Sequence, residues 1–225
     1  MKRSLLWGIC IGVLCLRCAG VPTSGVADRR QKYMELSVSF NTKEYPWILG
    51  TKYPQMAIWV ESATDPARTV FATEMGAKNS WHFASERPSS LPVWYGVVEK
   101  ETDLNIDAVS GATPSGEVHT FLWQIPEQLH GKTISLYVEA NVSFDYNQYY
   151  NKDESTPGFS DVNGQPSMVW KAVFTADDRS REITPEIAGH GHVLGEDHRI
   201  DPDLSQITTA RELFHYIHLQ YAAGR

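Results

Sequence analysis

Beyond residue 18 the sequence has no cysteine: Cys10, Cys15 and Cys18 are all it has. A fold built from the remaining residues holds neither a disulfide nor a thiolate metal site. Positive charge is also in short supply. Twenty Lys and Arg stand against 27 Asp and Glu, a net charge of −7 with histidine neutral. No basic stripe offsets that balance, which points away from nucleic acid as a partner. Past the N-terminus no apolar run approaches the ~20 residues that a membrane-crossing helix needs. Helix-period patterning is scarce throughout. There is no Gly-x-Ser-x-Gly elbow, P-loop, Gly-x-Gly-x-x-Gly turn or zincin helix, so nothing supports a hydrolase or a nucleotide-binding enzyme.

What is present begins with Met1-Lys2-Arg3-Ser4, a short basic start followed by the apolar stretch Leu5 to Leu16 and the small residues after Arg17. That order predicts a secretory signal over residues 1–20 and a polar tether over 21–31. The expected location is extracytoplasmic, in a periplasm or cell envelope. Cleavage after Gly20 would remove every thiol. Cleavage before Cys15 or Cys18 would leave an N-terminal cysteine able to carry lipid. The run Leu14-Cys15-Leu16-Arg17-Cys18 resembles a degenerate bacterial lipobox, with Leu14 or Arg17 where a small residue is usual. A lipid anchor to the membrane is the corresponding expectation.

From residue 32 onward, short segments alternate apolar and polar residues. Met34, Leu36, Val38 and Phe40 form one such set, and Met56, Ile58 and Val60 another. Val70 to Met75, Val93 to Val98, Thr120 to Ile125 and Met168 to Phe174 read as further strands. The clearest is Ile134, Leu136, Val138, Ala140, Val142 and Phe144, and His215, Ile217, Leu219 and Tyr221 read as a closing strand. Period-2 patterning broken by Gly, Pro, Asn and Asp predicts an all-β fold. The expectation is an Ig-like or related antiparallel β-sandwich of about eight strands over residues 32–225. A short C-terminal helical turn would start at Thr208 or Thr209. Two long loops, 76–92 and 145–166, interrupt the pattern, and loops of that length are often functional. Seven Trp, ten Tyr and eight Phe could fill the core or line a ligand surface.

The densest motif is Asp107-Ala108-Val109-Ser110-Gly111-Ala112-Thr113. Its Asp-x-x-Ser-Gly-Ala-Thr string resembles the flavinylation signature of FMN-binding domains in bacterial electron-transport complexes. There a dedicated transferase moves FMN from FAD onto the final threonine as a phosphoester. The resemblance implies a covalent FMN on Thr113, with Asp107, Ser110, Gly111 and Ala112 forming the transferase's recognition site. The residue types suit that chemistry: the acceptor must be a hydroxyl, and Gly and Ala before it leave the backbone open to a phosphate. The other reading of the same residues is a small-residue turn in which Asp107 bonds local amides.

A second resemblance covers about half of the chain. Met56 to Val60, the loop from Arg87 to Trp94, the Asp107–Thr113 turn, and Gly116-x-x-His119-x-x-x-Trp123 leading to Tyr137-Val138-Glu139-Ala140-Asn141 are similar to a periplasmic family of unknown function. Its members have an Ig-like domain like that of flagellar hook-capping proteins. They are found beside flavin transferases and PepSY-type membrane reductases. The implied partners are therefore a flavin transferase and a membrane redox protein. The implied role is an accessory of flavin-linked electron transfer. Aromatic content and proximity in sequence, apart from the resemblance, make Trp81, Trp94 or Tyr95 candidates to shield a flavin ring.

Two further features bear on function. Gly189-His190-Gly191-His192, followed by His198, places imidazoles at spacings that suit an unspecified metal. Metal handling through His190, His192 and His198 is thus one alternative; a non-catalytic Ig-like binding module is the other. Asn141-Val142-Ser143 matches a glycosylation sequon, but it lies within the strongest strand.

Overall fold

The structure is a computed structural model that describes residues 31–41, 46–47, 50–51, 54–78, 87–112 and 118–224. The expected signal peptide at residues 1–20 with the three cysteines, residues 21–30 of the expected tether, Trp81, His82, Phe83 and Thr113 lie outside the described residues.

Twelve strands are described: β1 (Tyr33–Phe40), β2 (Pro46–Trp47), β3 (Gly50–Thr51), β4 (Gln55–Ser62), β5 (Arg68–Thr73), β6 (Ser110–Gly111), β7 (Val118–Gln124), β8 (Thr133–Asn141), β9 (Met168–Thr175), β10 (Arg181–Ile183), β11 (Glu186–His190) and β12 (Phe214–Ala222). Three short helices accompany them, α1 (Glu74–Ala77), α2 (Pro92–Val98) and α3 (Ile106–Val109). Two sheets carry the fold. One has the order β10-β12-β1-β7 and the other β11-β9-β8-β4-β5-β6, while β2 and β3 form a separate small hairpin. Within the two sheets every pairing is antiparallel except β5 with β6. The all-β sandwich expected from the alternating segments is therefore what the chain forms.

The alternation explains the packing. Met34, Leu36 and Val38 of β1 and Leu219 and Tyr221 of β12 point inward from the four-stranded sheet. They meet Ile58, Leu136, Val138 and Phe174 from the six-stranded one. Each such fully buried side chain contributes roughly 1.5–3 kcal/mol through area removed from water. In β12 the register slips beside Ser39 and Phe40: Tyr216 faces Ser39, but Phe214 faces Phe40. His215 is the extra residue. The bulge leaves it exposed, although it shares sequence parity with buried Ile217.

The segment Val93 to Val98, which the sequence predicts to be a strand, is helix α2. Pro92 sits in its first turn, where a missing N–H costs nothing. Val93, Trp94 and Val97 are buried against Ala57, Trp59 and Val169, covering the outer face of the six-stranded sheet. A short helix buried on most sides is apolar at nearly every position, so its sequence looks like a buried strand. That cover makes β4 apolar or buried on both faces, unlike the half-solvated strands of the other sheet.

The C-terminal turn expected at Thr208 or Thr209 is a 3-10 turn, Thr209–Glu212. Neither threonine caps it through a side chain. Thr209 instead donates to Asp145 Oδ1 at 2.6 Å, and Thr208 N–H donates to Gln165 Oε1 at 2.7 Å. These bonds tie the turn to both ends of the 145–166 loop. Inside that loop Asn147 Oδ1 accepts from the amides of Tyr149 and Tyr150, and Asp153 Oδ1 accepts from Ser155. Such side-chain bonds take the place of a ladder in holding loop backbone. The loop also closes around buried Arg87, which donates to Ser143 Oγ at 3.1 Å and to Asn163 Oδ1 at 2.5 Å. Asn163 in turn donates to the carbonyls of Ser89 and Val193.

Candidate functional site

The Asp107 motif lies at one edge of the six-stranded sheet. Asn105 starts α3, its side chain accepting from the Ala108 amide at 3.3 Å. Asn is among the preferred residues for that position because its short side chain reaches the otherwise unpaired first-turn amides. Asp107 follows in the first turn, on the favourable end of the helix. Its side chain is 77% exposed and pairs with Lys78 Nζ at 2.9 Å. Lys78 also meets Glu74 at 3.1 Å, and Asp107 first, then Glu74, hold its pKa above the usual lysine value. Local capping thus belongs to Asn105, and Asp107 reaches across to the segment after β5. Among the described residues the local amide bond is Asn105's, and the reading that gives it to Asp107 is corrected to that extent.

Ser110 and Gly111 then form β6, the outermost strand of the sheet, parallel to Ala72 and Thr73 at the end of β5. Gly111 packs against a ring: a Cβ built on it would lie 2.8 Å from Phe71. Phe71 leans on Phe121 of β7, with ring centroids 4.5 Å apart. Ser110 is half-buried and Ala112 is exposed. Packing therefore dictates glycine at 111, while Asp107 and Ala112 face solvent.

Of the aromatic residues named as possible shields for a flavin, Trp94 is 1% exposed and donates its indole N–H to Thr69 Oγ1 at 3.1 Å. It is a core residue and covers no ligand surface. Tyr95 is half-buried and donates to the Gly76 carbonyl at 2.7 Å, two residues from Lys78. Of the two, only Tyr95 reaches the α1 segment that also meets the motif.

The three histidines diverge. His190 ends β11, buried, with Nδ1 2.8 Å from the Gly191 carbonyl and Nε2 3.1 Å from that of Asp203. His192 Nδ1 accepts from the amides of Leu194 and Glu196, at 3.3 and 3.2 Å. His198 Nδ1 sits 2.7 Å from the Pro92 carbonyl, and its Nε2 is 3.5 Å from Glu99. Among the described residues, no group of three His, Cys, Asp or Glu side chains is placed to hold a metal. Asn141 of the sequon is buried and donates to the Gln165 carbonyl at 3.1 Å, so the folded chain does not present it for glycosylation.

The most perturbed group was not singled out in the sequence. Glu139 lies on β8 beneath the start of α2 and is fully buried. It accepts from the amides of Val93 at 3.2 Å and Trp94 at 2.7 Å, and from Ser167 Oγ at 2.6 Å. Desolvation outweighs those three donors and pushes its carboxyl up to about 7. Gly191 closes the site: a Cβ there would lie 2.5 Å from Pro92 Cγ and 2.7 Å from Ser167 Oγ. The available signal was a lone acidic residue in the polar row of a strong strand, but such residues are normally solvated. Asp145 is the second raised carboxyl, at about 6, again through burial, with Thr209 and Gln165 donating to it.

No family model, no curated protein and no solved structure matches the chain.

Proposed function

We propose that this chain is an extracytoplasmic accessory protein of a bacterial flavin-linked electron-transfer system, carrying FMN covalently on Thr113. The observation that carries the proposal is the placement of the motif: Asp107 lies in α3 and leads directly into Ser110 and Gly111, the outermost strand of the larger sheet, and Asp107 and Ala112 are open to solvent. A modifying enzyme can approach that edge while the sandwich stays folded. The residues fit the group. Gly111 brings the backbone flat against Phe71, and Lys78 supplies a cation beside Asp107 on the same edge. The bound flavin would supply the redox chemistry, and the protein its attachment and position. The partners that follow from this reading are a flavin transferase and a membrane reductase. A signal peptide and lipid on Cys15 or Cys18 would place the protein where those partners work.

The test is co-expression with a flavin transferase whose activity is confirmed on a control substrate. Intact mass should rise by one FMN moiety, with yellow colour that survives denaturation, and Thr113→Ala should abolish both. An unmodified wild-type chain would overturn the proposal and favour a non-catalytic binding module.

A further inference from the structure

The two sheets have four outer strands, and three of them carry features that discourage another strand from adding. β10 is three residues long and carries Arg181 and Glu182. β11 is bulged between Ile187 and Gly189, and its last residue bridges Asp201. β6 has two residues. Short length, charge, bulges and covering segments are the usual protections of an open edge. Among the described residues β7 has none of them. It runs for seven residues, VHTFLWQ, without Lys, Arg, Asp, Glu, Pro or Gly. Its register with β1 is unbroken from Val118 to Gln124, and β1 is its one pairing partner among the described residues.

The outward row of β7 is also unusual. Leu122, 68% exposed, and Val118, 54% exposed, are the two most exposed large apolar side chains among the described residues. They flank Thr120 symmetrically. If a second β7 adds antiparallel with Thr120 opposite Thr120, Val118 of each copy faces Leu122 of the other. Residues of equal parity then share a face, as a continuous sheet requires. Apolar–apolar and Thr–Thr cross-strand pairs are both favourable. No charge opposes the approach along the strand, although the whole chain carries −7.

We infer that β7 is a self-association edge: two copies of this chain pair their β7 strands antiparallel about Thr120, joining the four-stranded sheets into one sheet of eight. A single strand-to-strand contact is at the small end of specific interfaces, so dissociation is expected in roughly the micromolar range.

The test uses the full chain. Sedimentation velocity across about 1–100 µM, a range set by that expectation, should show a monomer–dimer equilibrium. Thr120→Lys, which puts two like charges at the axis, should weaken it by about tenfold or more. That position is exposed, so an unchanged circular dichroism spectrum will verify folding. Register is read by cross-linking in a background with Cys10, Cys15 and Cys18 replaced by Ser. Directly opposed residues in an antiparallel pair have Cα atoms about 4.5 or 5.5 Å apart, both within disulfide reach. Thr120→Cys should therefore oxidise to a covalent dimer, and Val118→Cys, which faces Leu122, should not. A wild-type chain that is monomeric throughout that range overturns the inference. So does a dimer that survives Thr120→Lys, or one that cross-links through Val118→Cys but not Thr120→Cys.

Discussion

Glu139 is a single side chain that sets a pH dependence for the whole fold. The folded chain holds its proton up to about pH 7, whereas an unfolded glutamate releases it near 4.5. Between those values the folded state binds the extra proton, so stability falls as pH climbs through the window. The loss attributable to Glu139 is roughly 3 kcal/mol by pH 8. Asp145 acts with the same sign, because its carboxyl is raised from 3.8 to about 6. Half-buried Asp65, lowered to about 2 chiefly by its bond to Lys132, acts oppositely and only in stronger acid. Chemical denaturation should therefore show a more stable protein at pH 5 than at pH 8. Glu139→Gln should flatten most of that slope. Equal stability of the wild type at the two pH values would mean that the carboxyl is ionised in place at little cost.

At the scale of elements, α2 shows where sequence reading succeeds and where it stops. The long strands were legible because each has one face on the core and one in water. Residues 34–40, 134–142 and 217–221 all alternate for that reason. α2 was not legible as a helix, since its burial erases the periodicity, and Pro92 was the one positional cue. β6, β10 and β11 were missed because two to five residues are too few to show a period. The Asp107 motif could be found in the sequence, but its place on a sheet edge depends on a parallel pairing of Ser110 and Gly111 with Ala72 and Thr73 of β5, far back in the chain. Gly96 tests the packing of α2. On propensity alone Gly96→Ala would stabilise a helix by up to about 1 kcal/mol. Here the new Cβ would lie 2.5 Å from His198 Cβ. We expect a net destabilisation of about 1–3 kcal/mol from overpacking. A raised melting temperature in this variant would show that α2 and the His198 segment separate easily.

Across the whole molecule, stability is distributed unevenly. β4, β8 and β9 are paired on both sides and buried on one or both faces. β6 is held by one neighbour through two residues and leads to an exposed Ala112. Segments of the second kind open locally, at a free energy far below that of global unfolding. Native-state hydrogen exchange should therefore find fast amides at Ser110 and Gly111. Those of Ile58, Val138 and Val169 should exchange only through global unfolding. Uniform protection across both groups would contradict that separation. The parallel two-residue strand then has a kinetic consequence. If a modifying enzyme acts there as proposed, it would draw the Asp107–Ala112 segment into its cleft, and the segment would return afterwards, without waiting for the sandwich itself to unfold.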